Sequence, residues 1–193
     1  MTGGIGAGKS TALAALGRLG AASLSTDQVV HELYDDPEVR QAVTDRFGPA
    51  VAPDGQIDRG MLADRAFATA EGRAWLEGLV WPRVAARIVQ WREGIEQADP
   101  SPRAAVVEVP LLFESGMEEQ FDATIAVVAD EAVRGERAGA RGHQALEARS
   151  ARQLSQEEKA RRATYVVVND GTVEQLESEL SGVLAKLEML FRP

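Results

Sequence analysis

A short segment near the start of the chain carries the clearest chemistry in the sequence. Residues 3–11 read GGIGAGKST and fit the pattern G-x-x-x-x-G-K-[ST] at every fixed position. Glycine reaches backbone angles that other residues avoid, so successive N–H groups can turn towards phosphate oxygens. The helix expected to begin near Gly8 would direct its positive end at the same anion. The segment therefore predicts a site for a nucleoside triphosphate.

Two side chains in this segment suit a triphosphate that is bound with magnesium. Lys9 is expected to reach the β- and γ-phosphates, and the Ser10 hydroxyl to contact the Mg²⁺ ion that bridges them. Of the 21 basic residues only three are lysines, and one of them stands at this position. The alternative is a glycine-rich loop without function, which so many fixed positions in register disfavour. The predicted nucleotide-binding residues are Gly6, Ala7, Gly8, Lys9, Ser10 and Thr11.

The residues before this loop are unusually few. A buried strand of about five apolar residues normally leads into such a loop. Here only Met1 and Thr2 precede it. We therefore expect the first strand to be missing from this sequence, through a start assigned several codons late or a shortened chain, and treat Met1 as a doubtful start.

Length and composition limit the class of protein. A chain of 193 residues that is 45% hydrophobic suits one domain with a full core. It holds no cysteine and no run of eighteen apolar residues, so we expect a soluble, cytoplasmic protein without disulfides or thiolate metal sites. A net charge of −9 argues against general nucleic-acid binding. We expect no nucleic-acid or membrane partner, and a monomer or weak oligomer.

Apolar runs and helical spacings alternate along the chain. Buried strands are predicted at 21–25, 104–109, 123–128 and 165–168. Helices are predicted at 11–19, 37–47, 59–68, 70–79, 84–95 and 173–190. Strands that alternate with helices indicate a parallel sheet with right-handed crossovers. The fold class expected is α/β, a three-layer fold of the P-loop NTPase type.

A phosphate loop alone does not identify a reaction. The sequence lacks the Asn-Lys-x-Asp signature of guanine binding, the Leu-Ser-Gly-Gly-Gln signature of transporters and a strand that ends in Asp-Glu. A compact kinase of small molecules remains. The alternatives are a kinase of a nucleoside monophosphate or small hydroxy acid, and a nucleotide-binding module without catalysis.

A kinase that acts on a hydroxyl needs a group that accepts its proton. Asp27 is the best candidate, because it follows the strand predicted at 21–25, at the edge where parallel sheets bind ligands. Asp27 could also be the N-cap of a helix that starts at Gln28, and both roles can hold. Glu108 is a weaker candidate that could orient magnesium-bound water, or simply be a carboxylate at a strand end.

The positive charge of the chain is concentrated in residues 134–162. This segment has eight basic and four acidic residues, a net charge of +4. It could be a solvated helix with salt bridges, or an arginine-bearing lid over the triphosphate. The phosphate loop favours the lid.

The sequence resembles the dephospho-CoA kinase family over its whole length. The loop at 2–11, the stretch VEVPLLFE at 107–114 and the turn Asn169-Asp170-Gly171 carry the resemblance. It implies transfer of the γ-phosphate of ATP, with Mg²⁺, to the 3′-hydroxyl of dephospho-CoA, giving CoA and ADP. It also implies an acceptor-binding helical region from about 30 to 100 and a lid from about 134 to 162.

The resemblance also assigns roles to single residues. Asp27 matches the family's general base, and Arg137 and Arg141 match paired arginines that lead into the lid and act with Lys9 in catalysis. Asn169 and Gly171 match a turn beside the adenine.

At three positions this chain differs from the family's usual pattern. Ser25 stands where the first aspartate of an Asp-x-Asp pair is usual, Trp81 replaces a histidine and His31 an arginine. We expect these changes to affect acceptor affinity more than reaction type.

Overall fold

Short parallel strands form the centre of the first of two compact units. The computed structural model describes residues 1–139 and 153–191. Its first unit joins Met1–Ser25 to Ile95–Pro193, and its second is Thr26–Gly94. The strands described in the first unit are β1 (Thr2–Gly3), β2 (Ala22–Ser25), β3 (Ala105–Glu108), β4 (Ile125–Val128) and β5 (Tyr165–Val168). All of their pairings are parallel, as the alternation of elements predicts.

The first strand is present in a very short form, so the expectation that it is missing is wrong. Thr2 pairs with Ala126 and Gly3 with Val127 of β4. On its other side, the Met1 nitrogen donates to the Val107 oxygen at 2.7 Å, and the Val109 N–H donates to the Met1 oxygen at 2.9 Å. Three residues thus bridge β3 and β4, because a gap between parallel strands would leave backbone groups on both unpaired.

Two helices cover one face of this sheet. Helix α1 (Lys9–Arg18) and the last helix, α8 (Val173–Phe191), pack together through small and branched side chains. Alternate residues of β4, Ile125 and Val127, point into the same cluster. The buried side chains that both helices contribute are Ala12, Ala15, Leu16, Leu176, Leu180, Val183 and Leu184. This apolar layer fixes α1, and with it the loop that precedes α1.

A buried lysine binds helix α7 (Gln156–Arg162) to the sheet. The Lys159 ammonium is fully buried and lies 3.0 Å from Oε1 of Glu114. It also donates to the Pro110 oxygen at 2.6 Å and to the Thr2 hydroxyl at 3.5 Å. Burial lowers the pKa of Lys159, and the Glu114 carboxylate opposes this shift. Lys159 is one of the basic residues counted in the predicted lid, but its ammonium group is buried and pairs with Glu114.

The first unit also holds helix α6 (Glu131–Gly139), which follows β4, and a 3₁₀ turn at Met117–Gln120.

Gln156, at the start of α7, bonds both the N–H and the C=O of Ala129 at 2.8 Å. The Leu154 N–H donates to Oε1 of Glu114 at 2.8 Å. These bonds attach the residues before and at the start of α7 to the end of β4 and to Glu114.

The second unit is helical. It contains α2 (Thr26–Asp35), α3 (Pro37–Phe47), a 3₁₀ turn at Pro49–Val51, α4 (Arg59–Ala66) and most of α5 (Ala70–Glu96). Asp36 caps α3 by accepting from two backbone N–H groups, and Asp58 caps α4 in the same way. The bounds predicted for α3 and for strand β5 agree with the structure.

The prediction of two separate helices between residues 70 and 95 is wrong. Helix α5 runs through Pro82 without a break. Proline removes one hydrogen bond and usually bends or ends a helix. Here Leu76, Val80 and Val84 lie four residues apart and are all buried, so packing on both sides of the proline holds the helix together. Within the described residues, each helix is too short or too polar to cross a membrane.

The buried amino group of Met1 predicts a pH-dependent stability. Burial lowers the pKa of this group from 8.0 to about 5, against a smaller opposing effect of Glu108. Between these two pH values the unfolded chain binds a proton that the folded chain does not, so the free energy of unfolding rises with pH. Over the whole range between these two pH values, the free energy of unfolding rises by about 4 kcal/mol, at 1.36 kcal/mol for each pH unit.

Urea unfolding between pH 5 and pH 9 measures this effect. The matched control is the N-acetylated chain, whose first nitrogen remains a donor but does not titrate. It should lack this part of the pH dependence. Equal slopes for the free and acetylated chains would show that the amino group is not buried in the folded protein.

The Lys159–Glu114 pair predicts a second effect on stability. Lys159→Met leaves a buried carboxylate without its partner, and we expect it to cost about 3 to 5 kcal/mol in the free energy of unfolding. Adding Glu114→Leu should recover most of this loss, because the second change removes the unpaired charge.

The control is Arg18→Met, which breaks the more exposed Arg18–Glu177 pair. It should cost less than about 1 kcal/mol. Chemical unfolding of five proteins gives the comparison: the wild type, Lys159→Met, Glu114→Leu, the double variant and Arg18→Met. If the double variant were as unstable as the sum of its single changes, the two groups would not be coupled.

Candidate active site

The phosphate loop joins β1 to α1 in the first unit. Gly6 and Gly8 have φ values of +77° and +87°, in the left-handed region that favours glycine. Gly8 is the N-cap of α1, and no side chain caps the helix start. The first N–H groups of α1 are therefore left for another acceptor, and the positive end of a helix favours an anion there.

Side chains hold several carbonyl groups of this loop. The Lys9 ammonium donates to the oxygens of Gly3 and Gly4, both at 3.1 Å. The Ala7 N–H also donates to the Gly4 oxygen, at 3.3 Å. Because the C=O and N–H of a trans peptide point in opposite directions, holding a carbonyl fixes the direction of the next N–H. Lys9 thus orients the loop from within.

Asn169 holds the loop from the end of β5. Its side chain is buried, and its Nδ2 donates to the Ala7 oxygen at 2.9 Å. A Cβ added to Gly8 would lie only 2.0 Å from this nitrogen, so the second fixed glycine of the motif is required by this contact as well as by its φ value. The structure thus shows Asn169 in contact with the loop backbone, where the resemblance implies a place beside the adenine.

Arg134 and Arg137 of helix α6 attach to the same assembly. Arg134 Nε donates to the Ile5 oxygen at 3.0 Å, and Arg137 Nη1 donates to the Asn169 oxygen at 3.0 Å. Two of the basic residues assigned to the predicted lid therefore contact the loop or its support. Arg141, the other arginine predicted to act in catalysis, lies outside the described residues.

Asp27 belongs to the second unit, two residues after β2 ends. Helix α2 begins at Thr26, so Asp27 lies within its first turn and the alternative that makes it the N-cap is wrong. A carboxylate in the first turn is favoured by the positive end of the helix.

Ser25 and Glu108 meet at the carboxyl ends of β2 and β3. The two residues are paired in the strand register, and the Ser25 hydroxyl donates to Oε2 of Glu108 at 2.9 Å. Glu108 is only 6% exposed. A buried carboxylate thus stands beside the position where the family usually has an aspartate.

The predicted magnesium ligand is the Ser10 hydroxyl, on the first turn of α1. Ser10 and Thr11 are both exposed. Within residues 1–139 and 153–191 no group of three acidic, histidine or cysteine side chains could hold a metal ion. In phosphate sites magnesium takes only one or two protein ligands and binds mainly phosphate and water, so Ser10 fits this use.

The turn after β5 borders an open cleft of about 380 Å³. Val168, Asp170, Gly171, Gln175 and Glu179 are among its lining residues. A Cβ added to Gly171 would lie 1.8 Å from Oε1 of Gln175, the end of an exposed and flexible side chain.

Sequence reasoning missed the contact between Arg134 and the loop. A sequence signal existed, since Gly4 and Gly6 are glycines at positions that the motif leaves open. Their small size is required here by helix α6, which lies about 130 residues later in the chain.

Comparison with known proteins adds independent information. The family model for dephospho-CoA kinase matches residues 1–175. A protein of Deinococcus radiodurans named dephospho-CoA kinase is 41% identical over 98% of this chain and 91% of its own length. One from Protochlamydia amoebophila with the same name is 36% identical over 98% and 95%.

Solved structures agree on the fold. A crystal structure of a Thermus thermophilus protein has a TM-score of 0.79 at 34% identity, and covers 96% of this chain and 95% of that one. Dephospho-CoA kinase from Campylobacter jejuni shares the fold with a TM-score of 0.61 at 23% identity, over 96% and 95% of the two chains.

The loop geometry, the fold and these matches agree over nearly the whole sequence. The chain belongs to the dephospho-CoA kinase family, a family of P-loop enzymes that phosphorylate dephospho-CoA in the synthesis of coenzyme A.

Proposed function

We propose that this chain transfers the γ-phosphate of ATP to the 3′-hydroxyl of dephospho-CoA, with the loop at residues 3–11 as the ATP site. The observation that carries the proposal is the orientation of this loop, whose carbonyls are held by Lys9 and Asn169 so that its N–H groups can face an anion. The family membership supplies the acceptor.

Phosphoryl transfer needs a nucleophile, a held phosphate and compensation of negative charge. We assign the phosphate contacts to the N–H groups of residues 6–11 and to the Lys9 ammonium. Arg137 and Arg141 are proposed to stabilise charge on the transferred group, as the resemblance implies.

Asp27 is the proposed general base. Its support is its position two residues beyond the carboxyl end of β2, the edge where parallel sheets bind ligands. As a carboxylate it accepts the proton of the acceptor hydroxyl while the bond from oxygen to phosphorus forms and the bond to ADP breaks.

Magnesium is the proposed cofactor, held on the protein by the Ser10 hydroxyl. When bound, the ion bridges β- and γ-phosphate oxygens and neutralises charge that develops during transfer. Glu108 is a second candidate through water, because its carboxylate is buried at the end of β3 and fixed by Ser25.

Two regions complete the proposal. We assign acceptor binding to the helical region from about 30 to 100, which overlaps the second unit. We assign the lid over the nucleotide to residues 134–162, whose described part includes Arg134 and Arg137. The turn at Asn169–Gly171 is proposed to lie beside the adenine. We also propose that the protein works in the cytoplasm, without a nucleic-acid or membrane partner and as a monomer or weak oligomer.

The choice of acceptor is tested by ADP release with ATP and each of four compounds: dephospho-CoA, AMP, shikimate and gluconate. We expect turnover with dephospho-CoA alone, because the family match covers most of the chain. A selective response to AMP would overturn the assignment of the acceptor. Tight ATP binding without turnover on any compound would instead indicate a module without catalysis.

The role of Asp27 is tested by Asp27→Asn, which removes the proton acceptor and keeps the size of the side chain. We expect turnover to fall by about 100-fold or more, on the scale of lost general-base catalysis, while the dissociation constant of ATP stays nearly unchanged. Asp122→Asn removes the same charge from an exposed side chain outside both proposed binding regions, and is the control. If both variants kept wild-type turnover, Asp27 would not be the base.

A further inference from the structure

Helix α6 lies against the phosphate loop at two glycines that the motif does not require. A Cβ added to Gly4 would lie 3.3 Å from Nη2 of Arg134. One added to Gly6 would lie 2.6 Å from the backbone oxygen of the same arginine. The guanidinium and the main chain of Arg134 therefore occupy the space next to both glycines.

Arg134 also makes a directional bond to the loop. Its Nε donates to the Ile5 oxygen at 3.0 Å. The Ile5 carbonyl and the Gly6 N–H belong to one trans peptide and point in opposite directions. A bond that holds this carbonyl therefore also directs the Gly6 N–H.

The peptide between Ile5 and Gly6 depends on such an external bond. Gly6 adopts a φ of +77°, and glycine reaches other regions of backbone space at almost equal cost. The backbone itself thus specifies the direction of this peptide only weakly. If the peptide turned over, a carbonyl oxygen would face the phosphates in place of an N–H, which exchanges attraction for repulsion.

An arginine suits this position better than a lysine. Its guanidinium is planar and fits the narrow space beside Gly4, where an added Cβ would lie 3.4 Å from Cζ of Arg134. Helix α6 is fixed at a second point, because Arg137 donates to the Asn169 oxygen at 3.0 Å. The donor at Arg134 is thus held in place by its own helix and by the loop surface beneath it.

We propose that Arg134 is a positioning residue for ATP: its bond to the Ile5 carbonyl keeps the Gly6 N–H directed at the phosphates. The inference rests on the proposed function, because it concerns the triphosphate of that reaction. The role is separate from the one assigned to Arg137 and Arg141, since Arg134 acts through the loop backbone.

Binding measurements on Arg134→Ala test this role directly. Calorimetry should show ATP and inorganic tripolyphosphate binding about tenfold more weakly, the scale of one lost charge-assisted hydrogen bond. The KM for dephospho-CoA should not change. In protein labelled with ¹⁵N-glycine, the Gly6 amide resonance should shift, and free guanidinium below denaturing concentrations should restore part of the affinity.

Arg18→Ala is the matched control, because it removes the same charge from a largely exposed ion pair with Glu177, at the last residue of α1. It should leave both affinities unchanged and show no response to guanidinium. If Arg134→Ala proves unstable, Arg134→Met keeps a longer stem without a donor and gives the same readings. Wild-type affinity for both ligands in a folded Arg134 variant would overturn the inference.

The calorimetric and NMR measurements need no acceptor. A wild-type chain that binds ATP but transfers no phosphate would count against the proposed function and would leave the test of Arg134 intact.

Discussion

A loop that binds phosphate through backbone N–H groups must place its carbonyl groups elsewhere. Each peptide carries both groups in opposite directions, so the anion site exists only while the carbonyls are held outside it. In this protein the holding groups come from three places: Lys9 of the motif itself, Asn169 at the end of β5, and Arg134 on α6. The site is therefore assembled by the fold of the first unit, and the loop residues alone do not specify it.

The same unit depends on ionisable groups placed in its interior. Strand β1 pairs through only two residues, so it contributes little ladder energy of its own. Around it lie the Met1 amino group, bonded to Val107, and the Lys159 ammonium, bonded to Pro110 and to Glu114. Burying such groups is costly unless they are paired. Their bonds hold β1 between β3 and β4, and the phosphate loop begins at its end.

The sequence predicts the elements well where the pattern is local. Helix α3 has a capping aspartate, a proline at its first position and a glycine at its end, and its bounds were predicted correctly. Prediction from the sequence fails where contacts between distant parts of the chain determine the structure. Pro82 predicts a break in helix α5, which the packing of the buried residues Val80 and Val84 prevents. The few residues before the loop predict that the first strand is missing, although the backbone of Met1 bonds to β3. The motif predicts Lys9 and Gly8, but no local pattern reveals that Arg134 would reach Ile5.

The departure at Ser25 shows how a single position can mislead when it is judged alone. A serine in place of an aspartate suggests a lost carboxylate two residues before Asp27, the proposed base. In the structure Ser25 is paired in register with Glu108, and its hydroxyl donates to that buried carboxylate. Because neighbouring parallel strands end at the same edge of the sheet, a carboxylate at the end of β3 can lie beside the side chain at the end of β2. A carboxylate on β3 therefore remains at this edge of the sheet, and the Ser25 hydroxyl donates to it.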